Sequence, residues 1–274
     1  MSARPAHASR AGIPLQVRFQ ATARSEWIKF RSVRSGHAVL LVTALTVLLG
    51  AVLLASGYRN GWATMSASAR ASFDPVYTSL EGIVLAQLFI GALGVMTVTG
   101  EYSSGLIRGT FTATPQRVQL LAVKALIFVA VVWAWSTALS FGAFFLGQGL
   151  LTSPVTHVAI GDPGVLTAVF GGGLYLTLVG LFGLFIGVLV RRTDGALIAL
   201  FGILAILPLI LSQLPSTLSS RIAEYLPSNA GEEAWKLLHG GAYSLGPWPG
   251  LAVAGAYVAA TAVAAFVFIH RRDV

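Results

Sequence analysis

Six uninterrupted runs of apolar residues, set apart by polar breaks, dominate the chain: Ala38–Gly57, Gly82–Thr99, Leu120–Leu146, Val165–Val190, Ala196–Leu214 and Leu251–Ile269. A hydrocarbon core of roughly 30 Å needs about 20 residues of helix at 1.5 Å each, and every run meets or approaches that length. Strands of a membrane barrel alternate apolar and polar positions over about ten residues, whereas these runs are apolar throughout. The pattern predicts an all-α polytopic membrane protein with a six-span domain over 37–272.

The polar breaks carry patterns of their own. After a tail over 1–17, Phe19, Ala23, Trp27, Phe30 and Val33 share one helical face while Arg24 and Arg31 lie off it, with Ile28 out of place. That spacing predicts an amphipathic helix over 18–36 lying on the inner leaflet, against the plainer alternative of a solvated charged helix. Between the second and third runs, 100–119 is longer than the about two to eight residues that join neighbouring antiparallel helices. Gly105 and Gly109 mark turns within it, and Thr114-Pro115 has the N-cap and first-position residues of a helix start. Between the last two runs, 215–248 is too polar to cross lipid but holds two short helical patterns. Leu218, Ile222, Tyr225 and Leu226 form one that stops at Pro227. The other opens with Asn229 as N-cap and Glu232 at its third position, and closes at Gly240-Gly241. Short helices resting on or dipping into the outer interface follow from both.

Composition agrees: 55% of the 274 residues are hydrophobic and 10% charged, far from a soluble protein. The net charge of +8 is spread over span flanks, so it reads as an orientation signal, and nucleic acid is not expected as a partner. Only Arg59, Arg70, Arg221 and Lys236 fall on one side, which leaves fourteen of the 18 basic residues on the other. By the positive-inside rule both termini are cytoplasmic. No apolar core of signal-peptide type precedes Ala38, so no cleavage is expected. With no cysteine, disulfides, thiolate metal sites and cysteine nucleophiles are excluded.

The chain lacks the usual parts of a self-powered transporter or a membrane enzyme. Its ten acids lie in loops or at span edges, Glu81 and Glu101 bracketing the second span, which leaves ion coupling without an obvious residue. A phosphate-cradling loop needs Gly before Lys, and Lys29, Lys124 and Lys236 all lack it. No zinc-binding His-Glu-x-x-His or Gly-x-Ser-x-Gly elbow occurs, and the five histidines are scattered; no catalytic, metal or cofactor site is expected. Within the spans Gln87, Thr97, Thr99, Ser136, Ser140, Tyr175 and Thr177 could line a path, or bond their own helices. Gly183 and Gly187 have the spacing of a close helix contact, and Pro208 predicts a kink. Three readings stand: a conduit driven by a separate ATPase, a membrane anchor or sensor that recruits a cytoplasmic protein, and an ion-coupled carrier.

Three segments narrow the choice: Ser25-Glu-Trp-Ile-Lys-Phe-Arg-Ser32, Gly100-Glu-Tyr-Ser-Ser-Gly-Leu-Ile-Arg108 with Thr112-Ala-Thr-Pro-Gln-Arg117, and Tyr225-Leu-Pro-Ser-Asn-Ala-Gly231. In this order and spacing, over nearly the whole length, the chain resembles the permease subunit of type-2 ABC transporters, the six-span bacterial exporters. The resemblance implies a multi-pass protein of the bacterial cytoplasmic membrane, working as two permeases with two separate ATP-binding subunits that hold ATP and magnesium, and moving an exported substrate the sequence does not identify. It also implies that 100–119 is a coupling segment docking on the ATPase, through Glu101, Tyr102, Gly105, Arg108, Thr114, Pro115 and Arg117. The amphipathic helix adds Glu26, Lys29 and Arg31 to that contact. Ser103-Ser104 depart from the family pattern, which has a basic or amide residue there.

Overall fold

The computed structural model describes residues 15–32, 34–103, 117–214, 222–238 and 245–271, and among these every regular element is helical. Helix α1 (Leu15–Ser32) leads into the first long helix, α2 (Arg34–Gly61). The next crossings are α5 (Ile83–Ser103), α6 (Arg117–Leu150) and α7 (Val165–Val190), introduced below with the short elements α3 and α4 that precede them. A fifth crossing joins α8 (Thr193–Phe201), a π-helical stretch Gly202–Ile206 and α9 (Leu207–Ser212), and the last is α11 (Pro247–Arg271). Six helical stretches are thus long and apolar enough to cross a membrane, and the protein is a multi-pass membrane protein. Five of the six helices outrun their apolar runs. The third runs 34 residues where the apolar run has 27, because backbone hydrogen bonding carries a helix on through its polar flanks.

The core is built around α7. Of its most apolar 18 residues 72% are buried, against 22% in each of the last two crossings. Lipid supplies no hydrophobic force between helices, so close backbone approach and dispersion hold them together. The glycines of α7 allow that approach. A Cβ on Gly183 would overlap the Gly91 carbonyl of α5, and one on Gly94 would overlap the Gly180 carbonyl of α7. On another face, a Cβ on Gly173 would lie 2.7 Å from the Thr137 Cα of α6. The Gly183–Gly187 pair is therefore a contact surface, with Gly187 set against Val95. In the fifth crossing a π stretch lies just ahead of Pro208, where the sequence places a kink. Pro208 has no N–H to return to the preceding turn and its ring crowds that turn, so the ladder widens just upstream.

At the end of the bundle away from α1, short elements pack between the long ones. A 3-10 turn (Trp62–Thr64), α3 (Ala67–Ala71) and α4 (Pro75–Leu80) join α2 to α5, and α10 (Pro227–Glu232) with a 3-10 turn (Glu233–Trp235) precedes α11. Asp74 ties the two groups together. One carboxylate oxygen accepts from the Val76 and Tyr77 amides, both at 2.9 Å, as the N-cap of α4; the other accepts from the Leu237 and Leu238 amides at 2.6 and 3.0 Å. The described helical residues before Pro227 end at Ala223, Pro227 itself opens α10, and Asn229 lies inside α10 instead of capping it. An extended Leu226 is the N-cap, and the fixed φ of proline suits the first helical position. The helical stretch also ends at Trp235, short of Gly240-Gly241, since Lys236 is extended; residues 215–221 and 239–244 of the expected segment lie outside the described residues. Gly231 sits on the ring of Tyr175, while Gly171 and Gly250 admit the Ala234 and Ala230 carbonyls, so α10 and its 3-10 turn are wedged between α7 and α11.

Candidate functional site

Lys124 lies two turns into α6, nine-tenths buried among apolar neighbours. A lone ammonium there would be costly, and two helices supply its partners. Its Nζ donates to the Glu26 carboxylate of α1 and, at 2.9 Å, to Glu101 Oε1 near the end of α5. Lys29, one turn beyond Glu26, closes the ring: its Nζ reaches Glu26 Oε1 at 2.8 Å and Glu101 Oε1 at 3.1 Å. Each ammonium stands between two carboxylates and each carboxylate between two ammoniums. Burial alone favours the neutral acid at Glu26, but Lys124 and then Lys29 overcome it and hold the carboxyl below its ordinary pKa. At Lys29 burial opposes the charge, and Glu26 with Glu101 overcome that and raise its pKa. Both groups therefore stay charged at neutral pH.

This ring fixes which way α1 faces. Glu26 and Phe30 turn inward, Phe30 meeting Phe128 edge-on at 6.5 Å, whereas Trp27 and Ile28 are 46% and 57% exposed. Of the expected apolar face Phe30 packs into the bundle while Trp27 stays exposed, because the ion pair of Glu26 with a buried lysine sets the rotation of the helix. Arg24 and Arg31 are exposed, as their pattern predicts.

The last turn of α5 gathers further contacts. Thr193 Oγ1 donates to Thr99 Oγ1 at 2.9 Å. Arg191, in the left-handed conformation (φ 61°) that ends α7, lays its guanidinium over the Tyr102 ring at 5.6 Å and the Phe268 ring of α11 at 4.6 Å. Five elements thus converge on Thr99, Glu101 and Tyr102, the residues just ahead of 104–116. A cavity of about 560 Å³ lies beside the ring, walled by Phe30, Leu93, Met96 and Ile127 and edged by Lys29 and Glu101.

Of the residues the sequence singles out, Glu26, Lys29, Glu101 and Tyr102 come together, with the two acids and Lys29 paired among themselves. Arg31 is apart on the exposed side of α1. Gly105, Arg108, Thr114 and Pro115 lie outside the described residues; Arg117 begins α6, and its side chain lies outside them too. Lys124 and Arg191 were legible only as span-flanking charges. The signal for Lys124 was its place inside an apolar run, which demands a partner.

Elsewhere, the polar groups of the spans mostly serve their own helices. Thr97, Thr99 and Thr177 donate to the carbonyls of Leu93, Val95 and Gly173 at 2.7, 3.0 and 2.9 Å. Tyr175 donates to Gln87 between α7 and α5. Ser136 and Ser140 are buried with no partner for their hydroxyls among the described residues. At the far end, Tyr77 donates to Glu232 at 2.8 Å, and Lys236 pairs with Glu232 and Glu233 at 3.1 and 2.9 Å. Among the described residues no group of three His, Asp or Glu side chains is placed to hold a metal.

No family model matches the chain, and no curated protein matches it.

Proposed function

We infer that this protein is the permease subunit of a bacterial type-2 ABC exporter, paired in the cytoplasmic membrane with a second permease and coupled to separate subunits that bind ATP and magnesium. The observation that carries the reading is the charge ring. It joins the helix leading into 104–116, the helix leading out of it and α1, so a push on that loop would reach three elements at once. A simple connector would need no such brace. In this reading both termini are cytoplasmic, as fourteen of 18 basic residues on that side support. ATP-driven closure of the partner subunits moves the loop, the ring passes the movement into α5 and α6, and the bundle changes between two states.

Purification of the tagged chain from native membranes in mild detergent tests this. An ATP-binding subunit should copurify with the wild type and be lost on Arg108→Glu, a change in the loop itself. Capture of the chain without any ATP-binding protein, with equal recovery of partners by the variant, would overturn the assignment.

A further inference from the structure

The cavity beside the charge ring has a buried floor and an open mouth. Leu93, Thr99 and Lys124 are buried, whereas Ser32, Ser35 and Gly100 on its lining are exposed. Its volume of about 560 Å³ falls in the range of ligand sites, roughly 300–1,000 Å³. The four charges on its edge cancel one another, so the interior offers an apolar body a fit and a free ion none.

The rim differs. Arg31 and Arg34 are exposed and adjoin Ser32 and Ser35 of the mouth, Arg24 is exposed one turn before Lys29, and the Lys29 side chain is itself 35% exposed. The only acid between Leu15 and Gly36 is Glu26, which is already engaged by two lysines. The segment therefore keeps a positive charge that nothing within it answers. Trp27 and Ile28, exposed on the side of α1 away from Glu26, are the residues that settle at the boundary of acyl chains and headgroups. Ser32 and Ser35 of the mouth lie at the end of α1 and the start of the first crossing, which in a membrane would set the mouth near that boundary.

We propose that this cavity holds an acyl chain of an anionic phospholipid whose headgroup rests on the arginines at the junction of α1 and α2. The apolar walls select a chain, and the rim selects a negative headgroup over a zwitterionic one. A headgroup near the surface gains about fivefold in binding for each nearby basic side chain, so two arginines give a preference of about 25-fold. The proposal concerns this chain and its lipid and does not depend on an ATP-binding partner.

The full chain, equilibrated in mixed micelles with equal amounts of phosphatidylglycerol and phosphatidylcholine, is examined by native mass spectrometry. Wild type should retain phosphatidylglycerol about 25-fold over phosphatidylcholine. Thr97→Trp and Gly36→Leu, which fill the cavity from α5 and from α2, should each cut the retained lipid at least about fivefold, and R31Q/R34Q should bring the two lipids close to parity. Two filling variants guard against one failing to fold, and the wild-type preference is read without either. Equal retention of both lipids by wild type would overturn the proposal, as would full retention in the folded cavity-filled variants. So would displacement of phosphatidylglycerol by inorganic phosphate, which would show an anion site without a chain. None of these outcomes bears on copurification of an ATP-binding subunit, so the two readings fail separately.

Discussion

Replacing Lys124 with methionine keeps the length and apolar stem of the side chain and removes its charge. Glu26, 4% exposed, and Glu101 then still have Lys29, at 2.8 and 3.1 Å. Breaking a buried pair costs about 3–5 kcal/mol because it strands the surviving charge, and the remaining ammonium places this case near the low end, about 3 kcal/mol. Lys29→Met removes the same formal charge from the same ring. Its side chain is 35% exposed, so water screens the pair and the loss should be about 1 kcal/mol. Thermal unfolding of both variants in one detergent should therefore rank Lys124→Met well below Lys29→Met. Adding Glu26→Gln to Lys124→Met should recover part of the loss, since it removes the stranded carboxylate and the two changes couple. Equal destabilisation by the two lysine variants, or additive loss in the double variant, would refute the assignment of the ring as a buried, interdependent unit.

Gly183→Ala should destabilise the fold by about 1–3 kcal/mol or more, seen as a lower melting temperature and a broadened size-exclusion peak, because its new methyl has the Gly91 backbone to displace. Gly57→Ala, whose Cβ meets nothing within 4 Å, is the matched control and should be neutral or slightly stabilising. Burial first, and the Glu232 charge second, raise the Glu81 pKa above its ordinary 4.5. The folded chain thus binds that proton more tightly than the unfolded chain. Its contribution is fully present below pH 4.5 and is lost as pH rises through the raised value. Glu81→Gln should accordingly gain stability over wild type at about pH 8 and lose that advantage near pH 4 in a pH series of melting curves.

The crossings were legible because a continuous apolar run of about 20 residues has few other stable fates. Their ends were less so, as α6 shows by running on at both ends where the composition turns polar. Pro227 both follows the end of one helical stretch and opens α10, so the cap falls on the extended Leu226 and not on Asn229. The short helices between α2 and α5 were not anticipated, although Ser66 and Asp74-Pro75 have the residue types of caps. The charge ring was beyond local pattern. Lys124 finds Glu26 at a separation of 98 residues and Glu101 at 23, and no period in the sequence relates them.

Helices that slide past one another do so over a layer of side chains that can change rotamer. Where Gly183 meets Gly91 and Gly94 meets Gly180 that layer is missing between α5 and α7, since glycine faces peptide carbonyl in both directions. The two rods form a single spine, and any large change in shape has to be taken up by the helices hung around it. The crossing with the π stretch and α11, each buried over only 22% of its most apolar stretch, have the freest surfaces for such travel.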